Sequence, residues 1–259
     1  MKIKVLSLNT WMGGMLWQPS FDFVTAQQAD IILLQEIYSG VDDQFDPRFR
    51  SKHLFESAFP DFQSYFSALI CDLREKEGPI DNGNLILSRW PLIEQETIFF
   101  DQPYASYDHD DTADFSQWAA GAQRVIVELP GNQKLQIANL HGPVWFQGAE
   151  PTQRRIHMVN SINSICNREM PTIIAGDSNA TPDNPVWGNV NIPLKSVFSN
   201  QLTTTFNMRR KTNPGYATAA VDVFLISTGI KAIRAQCLDL DISDHLPMVV
   251  ELEINRSAV

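Results

Sequence analysis

A chain of 259 residues that is 44% hydrophobic has material for a sizeable core, in one large domain or two small ones. Its formal net charge of -10 repels phosphate backbones, which argues against a dedicated sequence-reading DNA binder and suits an enzyme that recruits divalent cations. No apolar run approaches the roughly 20 residues of a membrane span.

The first predicted strand, Ile3 to Leu8, alternates and is too short and polar for a signal peptide. It runs into Asn9-Thr10-Trp11-Met12-Gly13-Gly14, a loop with glycine hinges. Ser20 to Gln28 reads as a short helix with Ser20 as N-cap. Ile31-Ile32-Leu33-Leu34-Gln35-Glu36 reads as a buried strand ending in an acid. Asp46-Pro47 gives a cap and a first-turn proline, so a helix should run to about Phe59 and stop before Pro60. Phe62 to Ile70 reads as a strand, and Asn82-Gly83 as a turn leading into a strand that ends at Ser88. Residues 101–120 are loop-like and acidic, with Asp101, Asp108, Asp110, Asp111 and Asp114. Arg124–Leu129 and Leu135–Leu140 pair as a hairpin across Pro130-Gly131-Asn132, and His141 ends the second arm. Residues 150–168 form a helix with Ile156, Val159, Ile162 and Cys166 on one stripe. Strands follow at 172–176, 220–226 and 248–252. No linker, low-complexity tract or charge block divides the chain, so one α/β domain over residues 1–259 is expected. The three cysteines, Cys71, Cys166 and Cys237, are odd in number and lack metal-ligand spacing, which implies free thiols in a reducing compartment.

The stretch Thr172 to Asn179 concentrates the chemistry. A short apolar strand reaches Gly176, and a carboxylate and an amide then stand two residues apart, on one side of an extended segment. Asp177 and Asn179 would project from a strand end, where open α/β sheets place ligands. The plainer reading is an Asx-type turn with Asp177 capping the loop. Other strand ends carry Asn9, Glu36, His141, Asp222, Asp244 and His245. Each alone has a structural explanation, but like charges gathered at one edge are costly without a cation. Four carboxylates, two amides and two histidines in one cleft are the inventory for metal-assisted phosphoryl chemistry. Zinc would favour closely spaced His and Cys.

The motifs Leu8-Asn9-Thr10-Trp11, Gln35-Glu36, Gly83-Asn84-Leu85-Ile86-Leu87-Ser88-Arg89, Asn139-Leu140-His141, Gly176-Asp177-Ser178-Asn179, Val221-Asp222-Val223-Phe224 and Ser243-Asp244-His245-Leu246-Pro247 occur in that order. Together they resemble the endonuclease/exonuclease/phosphatase superfamily, with the DNase I-like fold. The resemblance implies a four-layer α/β sandwich, two facing mixed β-sheets flanked by helices, with the site between the sheets. It implies Mg²⁺ or Mn²⁺ held by Glu36, with Asn9 beside it and Asp244 as a further carboxylate. Asp177 and Asn179 would position or deprotonate the attacking water and hold the scissile phosphate. His245 would contact the phosphate or act as base, with Asp222 orienting it, and His141 would bind phosphate or act as general acid. Ser178 stands where the family usually has Phe, Val223-Phe224 where it has Tyr-Ile, and Gly142-Pro143 where a Leu usually follows the histidine.

The expected activity is hydrolysis of a phosphodiester by a nuclease-like, cytoplasmic, monomeric enzyme. The alternatives are a phospholipid phosphatase or sphingomyelinase-like enzyme, and a catalytically retired binding module. Arg209 and Arg210, in the run Arg209-Arg210-Lys211, and Trp11 are the candidate substrate contacts, for a second phosphate and for a base or lipid. The acidic loop at 101–114 would repel a long polyanion if it lies near the cleft, which favours a small or short substrate.

Overall fold

The computed structural model describes residues 1–108, 118–144, 152–167, 169–181, 183–191, 193–199 and 201–255. In chain order the strands are β1 Lys2–Asn9, β2 Ile31–Tyr38, β3 Gln63–Asp72, β4 Ile80–Ser88, β5 Leu92–Phe99, β6 Ala105–Tyr107, β7 Gly121–Leu129, β8 Gln133–His141, β9 Thr172–Asp177, β10 Leu194–Ser196, β11 Asp222–Ser227, β12 Ile230–Cys237 and β13 Met248–Ile254. The helices are α1 Trp17–Ala26, α2 Ser51–Ala58 and α3 Gln153–Ile165.

One sheet has the order β12-β13-β1-β2-β4-β3-β6 and the other β10-β11-β9-β8-β7-β5. Alternation along the strands explains why two sheets stack with helices outside. In β1, Ile3 and Val5 join Ile31 and Leu33 of β2 in an apolar layer shared with Ile137, Ile173, Ala175 and Phe224 of the second sheet. The alternate residues Leu6, Leu8, Ile32 and Leu34 face the other way, onto Val24 of α1 and Phe55 of α2. On the far side, Ala138, Leu140 and Ile174 meet Met158, Val159 and Ile162 of α3. The result is a four-layer α/β sandwich of two mixed sheets. No helix among the described residues is long and apolar enough to cross a membrane, and all three cysteines are free.

Several local expectations are corrected. Helix α1 begins at Trp17, and Ser20 is not its cap: Ser20 lies inside it, buried, with its hydroxyl donating to the Ile242 carbonyl. The aromatic contacts of Trp17 and Phe21 with each other and with Phe55 extend the helix beyond the position that capping chemistry suggests. Asn82-Gly83 is not a turn but lies within β4. A Cβ on Gly83 would come 1.9 Å from the Ser67 carbonyl oxygen, so glycine permits close approach of β3. The helix after Asp46 opens as a 3₁₀ turn over Pro47–Arg50 before α2, with the Asp46 carboxylate accepting from Arg48 N. The 101–120 stretch contains β6, while Asp110, Asp111 and Asp114 lie outside the described residues, as do 150, 151 and 168 of the predicted helix. Strands β5 and β12 lie at sheet edges with exposed charged side chains such as Glu94, Glu96, Lys231 and Arg234, so no apolar run announces them.

Candidate active site

Parity along the strands decides what faces the space between the sheets. Asn9 lies in phase with Ile3 and Val5, His141 with Leu135 and Ile137, Asp177 with Ile173 and Ala175, and Asp222 with Phe224. Each is therefore an inward-facing residue at the strand end where the apolar layer stops. Strands β8 and β9 are parallel and pair His141 with Asp177, and antiparallel β11 pairs Asp222 with the same Asp177. In the other sheet, parallel β1 and β2 pair Asn9 with Gln35.

Glu36 is out of phase, and a bulge corrects this. The β2–β4 register shifts between Leu34 and Ile37, and Glu36 takes φ +59°. Gln35 keeps the inward face, Ile37 moves to the helix side, and the Glu36 side chain turns toward Asn9. The strand thus continues past the acid to Tyr38 rather than ending there. The following loop wraps the carboxylate: Met12 N donates to Glu36 Oε2 at 2.6 Å, and Gly13 N to the Glu36 carbonyl at 2.6 Å.

Asn9 joins the two sheets. Its Nδ2 donates to Glu36 Oε1 at 3.0 Å and to Asp177 Oδ2 at 3.1 Å, while its Oδ1 accepts from Trp11 N at 3.0 Å. Asp177 Oδ2 also faces His141 Nε2 at 3.8 Å and His245 Nε2 at 3.7 Å. His245 Nδ1 donates to Asp222 Oδ2 at 2.8 Å. Asn179 is not extended. It takes φ +50°, its N donates to Asp177 Oδ1 at 2.9 Å, and its Nδ2 donates to the Gly142 carbonyl at 3.0 Å. The Asx turn and the clustered site are therefore one structure.

Electrostatics separate the acids. Burial pushes the Glu36 carboxyl up, but His141, the Asn9 amide and Met12 N outweigh it and hold it below the usual range. Burial raises Asp177, helped by the Asp222 charge and opposed by His245 and His141. Burial also raises Asp244, as does the Glu36 charge. Burial would lower His245, but Asp222, Asp177 and Asp244 push it up to about 10, so at neutral pH it is a cation.

The basic run is divided. Arg209 is held at two points by Asp239, with contacts of 2.5 and 3.1 Å, and Arg210 by Asp241, both contacts 2.7 Å. Neither guanidinium is brought among the site residues. Lys211 is, with Nζ 2.9 Å from Asp244 Oδ2. Trp11 contributes its backbone N–H and takes φ +61°. Several further contributors were not among the residues expected from the sequence. The Phe206 ring lies 4.7 Å from that of His245, and Thr205 Oγ1 accepts from Val221 N and Asp222 N at 3.0 Å each. Arg155, buried on α3, donates from Nη2 to the Asn179 carbonyl. Only Arg155 was findable, as a charge among the apolar positions of a helix.

The donor set fits a hard divalent cation. Asp244 is buried and Glu36 half-buried, their charges repel each other, and their oxygens suit Mg²⁺ or Mn²⁺. Oxygens of Asp177 and Asp222 and a His245 nitrogen also lie within 4.8 Å of one another. In that group, the Asp222–His245 hydrogen bond already uses Nδ1.

The sequence pattern of the Endonuclease/Exonuclease/phosphatase family matches residues 6–245. No curated relative matches by sequence. Among solved structures, the chain is similar to the endonuclease/exonuclease/phosphatase from Beutenbergia cavernae, with TM-score 0.74 and 14% identity over 98% of this chain and 72% of that one. It is similar to the Bacteroides thetaiotaomicron mannosyl-6-phosphatase, with TM-score 0.71 and 14% identity over 97% and 100% of the chains. It is also similar to D. rerio TDP2 complexed with single-strand DNA product, with TM-score 0.67 and 16% identity over 97% and 99%.

Proposed function

Because the chain belongs to the Endonuclease/Exonuclease/phosphatase family, whose members are hydrolases acting on phosphoester bonds, we propose that it is a divalent-metal-dependent phosphodiesterase acting on a small or short substrate. The observation that carries this reading is the Asn9 amide, which ties Glu36 at 3.0 Å to Asp177 at 3.1 Å across the two sheets. In this reading Glu36 and Asp244 hold Mg²⁺ or Mn²⁺, and Asn9 orients the Glu36 and Asp177 carboxylates. Bound there, the cation would neutralise charge on the phosphate oxygens. Asp177, raised by burial, accepts the proton of the attacking water; a carboxylate nearer neutrality is the better base. Protonated His245, held by Asp222, donates from Nε2 to a phosphate oxygen, so the phosphate-contact role is favoured over the base role. His141 is placed to meet the same phosphate or the leaving oxygen. Asn179 keeps its side-chain carbonyl and second N–H for water or phosphate, while its fold is fixed by Gly142.

Charge supports a diester over a monoester. Among the described residues, the basic groups facing Glu36, Asp177, Asp222 and Asp244 are Lys211 and two histidines, and a diester brings one negative charge where a monoester brings two. A retired binding module is disfavoured because every polar group of the set is present. The test is a panel of bis(4-nitrophenyl) phosphate, 4-nitrophenyl phosphate, a short oligonucleotide, sphingomyelin and phosphoinositides, with Mg²⁺, Mn²⁺ or EDTA. Turnover of diesters that EDTA abolishes is expected. Metal-independent turnover, or an inert folded protein on the whole panel, would overturn the proposal.

A further inference from the structure

The segment that carries the basic run is pinned at many points to the segment that carries Asp244. Asn207 N donates to the Asp244 carbonyl, and Asn207 Nδ2 donates to the Ser243 carbonyl and Asp241 Oδ1. Asn207 Oδ1 accepts from Arg209 N, and Arg209 and Arg210 are clamped outward on Asp239 and Asp241. The backbone at 207–210 is thereby fixed, and the next residue, Lys211, turns inward. Its ammonium lies 2.9 Å from Asp244 Oδ2, close enough to Glu36 to feel its charge, with a third of its side chain exposed and the Tyr216 ring 5.7 Å away. Asp244 itself is only 3% exposed. Lys211 is therefore the only basic residue of this run whose charge sits on the carboxylates assigned to the cation, and its long side chain already reaches solvent.

We propose that Lys211 is a resident counter-ion of Asp244 that competes with the divalent cation and, once the cation holds Asp244, offers its ammonium to the substrate phosphate. The inference rests on the reading of Glu36 and Asp244 as cation ligands. A positive charge at hydrogen-bond distance from a buried ligand oxygen opposes a second cation there, and a lysine, unlike a metal, can swing away. Lys211 then couples the two ligands: the cation releases the ammonium, and the released ammonium favours the phosphate. Arg209 and Arg210 serve as the outward clamps that present it.

The experiment measures Mn²⁺ binding by calorimetry or electron paramagnetic resonance in wild type, Lys211→Met, Lys211→Arg and Glu36→Gln, with inorganic phosphate as the anion probe. Lys211→Met should bind Mn²⁺ about tenfold more tightly than wild type, by loss of one adjacent positive charge. Lys211→Arg, which keeps the charge, should stay near wild type. With Mn²⁺ saturating, phosphate should bind more weakly to Lys211→Met than to wild type. Equal Mn²⁺ affinity in wild type and Lys211→Met, with Glu36→Gln clearly weakened, would overturn the counter-ion role and leave the cation site standing. Wild-type binding that Glu36→Gln does not weaken would overturn the cation site and this inference with it. Unchanged phosphate affinity in Lys211→Met would refute the transfer of the ammonium to the substrate.

Discussion

Asp177 and Asn179 show how much a single residue's role depends on its partners. The sequence placed them on one side of an extended segment, which holds for Asp177, but Asn179 turns into a left-handed conformation and closes an Asx turn on Asp177. The departures from the family pattern have physical reasons at this scale. Ser178 is buried with its hydroxyl within hydrogen-bond distance of the Val221 and Ala180 carbonyls, so hydrogen bonding takes the place of ring packing. Gly142 occupies a position where a Cβ would lie 2.1 Å from the Ser178 carbonyl oxygen, and its own N donates to the Asp177 carbonyl at 2.7 Å. Gly142→Ala should therefore push the two strand ends apart, at a cost of roughly 1–3 kcal/mol. Denaturant unfolding reads that cost, and a stability equal to wild type would mean that the contact relaxes freely. Glu36 was legible as an acid closing a buried apolar run, but the strand's continuation past it to Tyr38 was not. Neither was its positive φ, because nothing in the local composition marks a non-glycine residue for that region.

Elements carry the next level of positioning. Alternation gave β1, short apolar runs gave β2 and β9, and the hairpin of β7 and β8 was visible in its Pro130-Gly131-Asn132 turn. Edge strands β5, β6 and β12 were hidden because a strand with one solvated face and one neighbour needs few apolar residues. Helix α3 was legible as a stripe, but its buried Arg155 matters more for the site, since it holds the turn at Asn179. Arg155→Met should leave the fold intact and lower kcat more than it raises KM, by up to about 10²-fold, as expected for a misplaced catalytic turn. Arg155→Lys should recover part of the loss; no difference between the two variants would reduce Arg155 to a packing role. Strand β6 is tied to β3 by an ion pair whose carboxylate, Asp72, is buried and whose guanidinium, Arg74, is half-buried. Asp72 accepts from Arg74 Nε at 2.9 Å, Arg74 Nη2 at 2.8 Å and Tyr38 Oη at 2.6 Å, and the Arg74 guanidinium lies 5.1 Å from the Tyr107 ring. Burial raises the Asp72 carboxyl, but the Arg74 and Tyr38 hydrogen bonds outweigh it and hold it below the usual range. A lowered folded-state pKa stabilises above the unfolded value of about 3.9, and that stability is lost as pH falls through the folded value. Arg74→Met should cost about 3 kcal/mol at pH 7 and less in strong acid, as Asp72 takes up its proton. Denaturant unfolding under the two conditions checks this, and an equal cost at both would show that Arg74 acts through packing alone.

At the scale of the whole molecule, seven separated motifs meet because two sheets end their inward-facing rows at one level. The order of the motifs made the family and the sandwich legible. Which cation of the basic run enters the site was not, since that depends on the clamps from Asp239 and Asp241, 30 and 31 residues away. A net charge of -10 and the few cations near the site give a long polyanion little to hold. Activity on a short oligonucleotide should consequently fall only shallowly between about 50 and 200 mM salt, whereas a binder of many phosphates would lose roughly 10³-fold or more. A steep loss would point to a basic groove elsewhere on the surface. The central claim, that Asp177 serves the water while Glu36 serves the cation, is tested most directly by titrating Mg²⁺ into wild type, Asp177→Asn and Glu36→Gln during hydrolysis of bis(4-nitrophenyl) phosphate. Asp177→Asn should lose about 10²–10⁴-fold in kcat at every Mg²⁺ concentration, while Glu36→Gln should regain part of its activity as Mg²⁺ rises, because added metal restores occupancy by mass action. Full rescue of Asp177→Asn by Mg²⁺ with none for Glu36→Gln would contradict the assignment.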